Sequence, residues 1–504
     1  MPNPLYDALF APLATRDTAF LTLPDSSTIS GAAFLRLCQQ VAGALVAAGL
    51  EPGDRLAVQV EKSPSALALY GGAVIAGVVF LPLNTAYTPD EVAYFLGDAG
   101  AKLAICDSRK AEALTPIAAR CGSTLMTLDA DGTGSFADAM TAATPRATPA
   151  NRTGRDLAAL LYTSGTTGRS KGAMLSQDNL LSNAVVLRDL WRFTERDVLL
   201  HALPIFHTHG LFVATNTLLL AGGSMIFLPR PDTDALIRWL PHATSLMGVP
   251  TFYTRLLDDP RFTRDLVAHM RLFISGSAPL LAETHEAFEA RTGHRILERY
   301  GMTETSMNTS NPYDGERRAG TVGFPLPGVE LKITDPETGE TLPQGQIGVI
   351  EVRGPNVFMG YWQMPEKTAA ELRENGFFIT GDLGQIDADG YLTIVGRQKD
   401  LIIAGGYNIY PKEIELELDE APGVRESAVI GVPHPDLGEG VLGVIVPEPG
   451  ASPDTGAILA ALGQRLARFK IPRALEIVDE LPRNTMGKVQ KNALRDRFKD
   501  RFKP

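Results

Sequence analysis

Leu157-Ala158-Ala159-Leu160-Leu161-Tyr162-Thr163-Ser164-Gly165-Thr166-Thr167-Gly168-Arg169-Ser170-Lys171-Gly172 is the stretch around which the rest of the chain is organised. Its apolar start, Leu157–Leu161, predicts a buried strand. The strand opens into a hydroxyl-rich run that contains Gly165, Gly168 and Gly172 and the cations Arg169 and Lys171. Glycines let backbone N–H groups approach an anion and adopt positive φ, hydroxyls add donors, and a lysine adds a point charge. Together these suit a grip on a polyphosphate. The run is not a Walker A loop, because G-x-x-x-x-G-K-[ST] is absent and Lys171 lies three residues after Gly168. A plain surface hairpin is the alternative.

On either side of this loop, helical and strand patterns alternate. Phe34–Ala48 is helical, with Leu35, Cys38, Val41, Leu45 and Ala48 on one stripe. Arg55–Val60 reads as a strand, Pro89-Asp90-Glu91 opens another helix, and Leu103–Cys106 is a short buried strand. Residues 128–156 are rich in Asp, Thr, Gly, Ala and Pro and predict a loose surface connection. The alternation continues to about residue 326. Between 329 and 396 the strands become short (Glu330–Thr334, Gly348–Arg353, Tyr391–Val395), with turn signals at 335–339 and 387–390. A final α+β segment follows from about residue 398. The expected class is α/β: layered α/β subdomains, a small antiparallel subdomain, and an α+β C-terminal domain.

Composition narrows the options. A length of 504 residues suggests about three domains. Hydrophobic residues at 44% and charged residues at 21% exclude a mostly disordered chain. A net charge of −11 opposes nucleic acid as a partner, although a local field can still hold a small anion. Cys38, Cys106 and Cys121 are too few and scattered for a disulfide framework and read as buried thiols. Met1–Leu23 lacks the pattern of a secretory signal. The uncharged stretch Ser65–Ala86 is broken by Gly71, Gly72, Gly77, Pro82 and Asn84. It reads as a buried helix running into the strand Val78–Leu81, not as a membrane span. The expectation is a cytoplasmic protein without membrane contact. Lys491, Arg495, Arg497, Lys499, Arg501 and Lys503 read as a solvated basic helix face.

Further motifs follow in order across essentially the whole chain: Pro204-Ile205-Phe206-His207-Thr208-His209-Gly210, Ser275-Gly276-Ser277-Ala278-Pro279-Leu280, Tyr300-Gly301-Met302-Thr303-Glu304, Thr380-Gly381-Asp382, Gly396-Arg397-Gln398-Lys399-Asp400, Gly405-Gly406-Tyr407-Asn408-Ile409-Tyr410-Pro411 and Pro482-Arg483-Asn484-Thr485-Met486-Gly487-Lys488. With the 163–172 loop they resemble the signature segments of the adenylate-forming enzymes: acyl-CoA synthetases, firefly-type luciferases and nonribosomal adenylation domains. The resemblance implies a two-step reaction. A carboxylate attacks the α-phosphorus of Mg-ATP and releases pyrophosphate, and a thiol, usually of coenzyme A (CoA), then displaces AMP.

By that resemblance Thr163, Ser164, Gly165, Thr166, Thr167 and Gly168 hold the β- and γ-phosphates, with Lys171 beside them. Ser277, Ala278, Tyr300, Gly301 and Met302 flank the adenine, Thr303 bonds the α-phosphate and Glu304 holds Mg2+. Asp382 takes the ribose hydroxyls, Arg397 the ribose or phosphate, and Lys488 bridges the carboxylate and the α-phosphate. The implied organisation is a large domain (1–396), a hinge (397–399, with Lys399) and a mobile lid (400–504). Rotation of the lid would remove Lys488 and bring Gly405, Gly406 and Tyr407 to the thiol. In relatives such a terminal lysine can be acetylated, which removes its charge and adds a lysine acetyltransferase to the expected partners.

Arginines stand where the acyl pocket is expected. Arg299 precedes Tyr300-Gly301, and Arg255 lies five residues after Pro250. A helix starting at Pro250 or Thr251 would put Thr251 and Arg255 on one face. His207 would add a third polar group. An arginine facing an apolar tunnel costs several kcal/mol without an anion, and a second carboxylate would satisfy it bidentately. Arg299–Thr305, followed by Thr309–Tyr313 and Gly315–Arg318, also resembles the malonyl-CoA synthetase branch. Malonate is therefore the expected acid, with methylmalonate as a variant. The alternatives are an Arg299 paired with Glu298 or Glu304, an Arg255 in solvent, another short- or medium-chain acid, a stand-alone enzyme loading a carrier protein, a light-emitting monooxygenase, and a silent nucleotide-binding protein.

Overall fold

Ser63 and Thr88 start two of the helices that define the N-terminal layers. Ser63 accepts a hydrogen bond from the Ala66 N–H, and Thr88 forms a reciprocal capping box with Glu91. Proline follows each cap, at the position where its missing N–H costs nothing. The helices Pro64–Ala76 and Pro89–Ala99 result. A Cβ on Gly72 would lie 2.2 Å from Val41 Cγ1, so glycine allows Pro64–Ala76 to press against Gly31–Ala47. The uncharged stretch is thus a buried helix followed by the strand Val79–Pro82, as expected. Among the described residues, no helix is long and apolar enough to cross a membrane.

The computed structural model describes residues 2–163, 170–404, 407–435, 437–466, 468–484 and 487–502. They form two compact units, Met1–Glu330 with Arg353–Phe378, and Leu331–Val352 with Ile379–Pro504.

The first unit is layered α/β around two sheets. The smaller sheet runs Thr124–Thr127, Leu103–Cys106, Arg55–Gln59, Val79–Pro82, Leu157–Thr163, Lys171–Ser176. It is parallel except for its last pair. The larger runs Phe324–Pro325, Ser306–Ser310, Leu297–Met302, Leu272–Ser275, Ser245–Gly248, Val198–His201, Ser224–Phe227, Ala19–Thr22, Thr28–Ser30. Its middle strands are parallel and its ends antiparallel. Helices cover such sheets on both faces, so strands such as Leu103–Cys106 read as short apolar runs without alternation.

The second unit holds a four-stranded sheet, Glu330–Thr334, Gly348–Arg353, Phe378–Ile386, Leu392–Arg397, whose last pair is antiparallel. A further sheet centres on Val424–His434 and Gly438–Pro447, also antiparallel. Alternate residues of these strands feed two cores: Val429, Val441 and Ile445 on one side, Ala428, Ile430 and Val444 on the other.

Two expectations need correction. Residues 128–156 contain a helix, Ser135–Ala142, that buries Phe136 and Met140. The basic tail is a solvated face only in part: Arg497, Lys499 and Arg501 are exposed, but Lys491 and Arg495 are half-buried and paired. Helix Lys491–Phe498 buries Leu494, Lys491 pairs with Glu415 at 2.5 Å, and Arg495 with Asp400 at 2.7 Å. Cys38 and Cys106 are buried free thiols, and Cys121 is half-buried.

Candidate active site

Adjacent parallel strands of the first unit end at His201, Gly248, Ser275 and Met302. Open α/β sheets place ligands at such carboxyl ends. Arg299 lies on Leu297–Met302, in register with Ser310. It is 3% exposed, and its Nε and Nη2 are buried without a hydrogen-bond partner. Gly276 makes room for it, since a Cβ there would sit 2.4 Å from Arg299 Cζ. Burial pushes the guanidinium down to about 9, opposed by the nearby Tyr253 and Glu298. It therefore keeps its charge at neutral pH. The Glu298 carboxylate accepts from the Leu280 N–H at 3.1 Å and acts on Arg299 as a nearby charge, not as a partner of Nε or Nη2.

His209 lies close enough to Arg299 to feel its charge and is missed by sequence reasoning, which singles out His207. It is buried at the start of a π-helical segment, His209–Asn216, a geometry frequent at functional sites. Its Nδ1 lies 3.2 Å from Ser277 Oγ, and its Nε2 is buried with no partner. Burial, then the neighbouring Arg299, holds its pKa well below 6.5, so the ring is neutral. Ser277 is in the left-handed region at φ 71°, strain of the kind that collects at ligand sites. The buried Lys62 braces this loop through its Nζ, which donates to the carbonyls of His201 and Leu203 at 2.8 and 2.9 Å. His207 is half-buried, and its Nδ1 accepts from the His209 N–H at 3.4 Å. The signal available in the sequence was the second histidine, two residues after the first.

Arg255 is not brought to this pocket. The helix begins at Pro250 as expected, but its buried face carries Phe252, Tyr253 and Leu256, and Arg255 is exposed.

A second group lies where the strands Leu157–Thr163 and Lys171–Ser176 pair. Thr163 and Lys171 are opposite each other across the hairpin. Ser164, Gly165, Thr166, Thr167 and Gly168 lie outside the described residues. Lys171 Nζ is 3.2 Å from Tyr361 Oη and 3.3 Å from Glu371 Oε2. Tyr361 Oη in turn lies 3.0 Å from Glu304 Oε1 and 2.7 Å from Glu371 Oε2. Glu304 is buried in the turn after Leu297–Met302, with Thr303 half-buried before it. Tyr300 is buried opposite Thr309, while Gly301, Met302 and Ala278 are half-buried. Tyr361 and Glu371 were not singled out from the sequence and are found by the fold.

In the second unit, Asp382 and Arg397 face each other across antiparallel strands, with Arg397 Nε 2.9 Å from Asp382 Oδ1. Lys399 follows on a short turn, and its pKa falls to about 8 through burial, then Arg397, with Lys488 and Arg495 adding to the effect. Lys488 is half-buried, and its N–H donates to Asn484 Oδ1 at 2.9 Å. Gly405, Gly406 and the Tyr407 side chain lie outside the described residues.

The AMP-binding enzyme family matches residues 12–362, and the AMP-binding enzyme C-terminal domain matches 413–488. The chain belongs to the AMP-binding enzyme family. This AMP-binding enzyme is similar to the ATP-bound MatB from Rhodopseudomonas palustris, with 58% identity, a TM-score of 0.98 and 100% of both chains covered. It is 36% identical to the feruloyl-CoA synthase of Amycolatopsis sp over 92% of each chain. It is 35% identical to the malonate–CoA ligase of Arabidopsis thaliana over 88% of this chain and 78% of that one. It is thus an AMP-forming acyl-CoA ligase that takes ATP and CoA, and the resemblance to malonyl-CoA synthetase is borne out. The comparisons do not support a lysine acetyltransferase as partner. Among the described residues no cluster of three His, Cys, Asp or Glu could hold a metal. The single buried Glu304 carboxylate still fits Mg2+, which is commonly held by one or two carboxylates, substrate phosphates and water.

Proposed function

We propose that this ligase joins malonate to CoA, converting ATP to AMP and pyrophosphate through a malonyl-adenylate. The observation that carries the reading is Arg299: a charged, buried guanidinium with Nε and Nη2 unpartnered, beside an unpartnered His209 Nε2. The far carboxylate of malonate would accept from Nε and Nη2 of Arg299 in a bidentate pair. If Ser277 Oγ–H donates to Nδ1 of neutral His209, Nε2–H is left as a further donor. The near carboxylate would then be held for attack on the α-phosphorus.

Charge neutralisation dominates that step. Thr303 and Lys488 would bond the α-phosphate, Lys171 the outer phosphates, and the Asp382 carboxylate the ribose diol. Mg2+, held by Glu304 and the phosphates, would supply further neutralisation. The second step requires Lys488 to leave, and we assign that motion to a hinge at 397–399 separating residues 1–396 from 400–504. Gly405, Gly406 and Tyr407 would then face the thiol. Methylmalonate adds only one methyl between the two carboxylates and is proposed as a second substrate.

The test is ATP–pyrophosphate exchange over acetate, propionate, octanoate, malonate, methylmalonate, succinate and sulfoacetate, followed by thioester formation with free CoA. Malonate is expected to be fastest. Faster exchange with acetate or octanoate would remove the dicarboxylate reading. Transfer only to a phosphopantetheinylated protein would replace CoA by a carrier.

A further inference from the structure

Tyr361 and Glu371 take no part in the chemistry above, yet they lie between two groups that do. The Tyr361 hydroxyl is 2% exposed as a residue and has one proton, with two carboxylates in reach: Glu304 at 3.0 Å and Glu371 at 2.7 Å. Its oxygen also accepts from Lys171 Nζ at 3.2 Å, and the ammonium sits 4.3 Å from the centre of the Tyr361 ring. Glu371 is held by two cations, Lys171 at 3.3 Å and Lys367 at 2.7 Å. Removing Lys171 from Glu371 therefore leaves that carboxylate paired with Lys367, at modest cost.

We infer that Glu371 is a built-in stand-in for phosphate at Lys171, and that Tyr361 is a positioning residue that orients the Glu304 carboxylate. An arriving triphosphate takes Lys171 from Glu371. Two negative groups cannot share one ammonium at full strength, so Glu371 lowers ATP affinity and keeps Lys171 extended along the Tyr361 ring until phosphate replaces it. The Tyr361 hydroxyl holds Glu304 in one rotamer, so that its effect on nucleotide binding requires the metal.

The inference rests on the ATP site proposed above, and calorimetric titration of the full chain with ATP separates the two. ATP is titrated with Mg2+ and with EDTA into wild type, Glu371→Gln and Tyr361→Phe, and malonate KM is measured alongside. Loss of one competing charge-assisted contact is expected to tighten ATP binding about tenfold in Glu371→Gln, with malonate KM unchanged. Tyr361→Phe is expected to weaken Mg-ATP by about tenfold and leave metal-free ATP unaffected. Equal or weaker ATP binding by Glu371→Gln overturns the stand-in role, and that variant still decides it if Tyr361→Phe does not fold. Equal weakening of both ATP forms by Tyr361→Phe overturns the orienting role. A wild type that binds no ATP overturns the ATP site itself.

Discussion

Replacing Arg299 by methionine should keep or raise stability and destroy dicarboxylate selectivity at once. The guanidinium is buried with Nε and Nη2 unpartnered, so the empty enzyme carries a cation that Glu298 offsets only as a nearby charge. Methionine is unbranched and fills a similar path without charge. Replacing buried charges by apolar groups is often neutral or stabilising by roughly 1–4 kcal/mol, so the melting temperature without substrate should hold or rise. With malonate bound the sign reverses, because the variant leaves the far carboxylate buried and unpaired. Breaking a buried pair costs roughly 3–5 kcal/mol. Taking about 3 kcal/mol for a subsite open to substrate, at one decade per ~1.4 kcal/mol, kcat/KM for malonate should fall about 150-fold. Propionate, which has no far carboxylate, should lose little. The assay is pyrophosphate release with each acid, and thermal melting with and without malonate. Equal losses for both acids would refute the reasoning. So would a variant that melts several degrees lower while its malonate kcat/KM is unchanged, because Arg299 would then be structural.

Other expectations follow from the same geometry. Lys488→Ala should slow adenylation by ~10²–10³-fold while leaving CoA transfer from preformed malonyl-adenylate intact, which two separate half-reaction assays would show. In Gly276→Ala the new Cβ would stand 2.4 Å from Arg299 Cζ, so malonate should lose roughly tenfold more kcat/KM than propionate, the scale of about 1.4 kcal/mol of anion contact. Burial raises the Asp419 carboxyl to about 6, although it accepts from Ser427 Oγ at 2.7 Å. Its folded pKa lies above the unfolded value, so its penalty is full above pH 6 and vanishes as pH falls toward 4. Stability should therefore rise as pH drops from 8 to 5, and Asp419→Asn should flatten that slope in melting curves.

Much of the fold was legible because its signals are local. Leu103–Cys106, Glu330–Thr334 and Gly348–Arg353 fall where apolar runs and turn residues put them. Helix Ser135–Ala142 escaped because one phenylalanine and one methionine carry its buried face inside a composition otherwise typical of loops. The tail was misread for a different reason: the acids that neutralise Lys491 and Arg495 lie 76 (491 − 415) and 95 residues earlier, beyond any pattern of spacing.

The site divides along the same line. Asp382 and Arg397 stand in recognisable motifs, and the structure joins them. His209 meets Ser277 across 68 residues, and Lys171 meets Tyr361 across 190. No local signal marks those pairs, because each member serves its own strand end or helix as well. Arg299 lies between these cases. Its residue type was legible, and so was the argument that an arginine in an acyl pocket wants an anion. What makes that argument specific is three-dimensional. Gly276 lets the guanidinium lie flat against backbone, Glu298 turns Oε1 to the Leu280 N–H and does not accept from Nε or Nη2, and these two are left for a group the chain does not supply. Arg255 had an equal claim from sequence and lacks all three of these features. Selectivity for the far carboxylate should therefore follow changes at positions 276 and 299 and be indifferent to position 255.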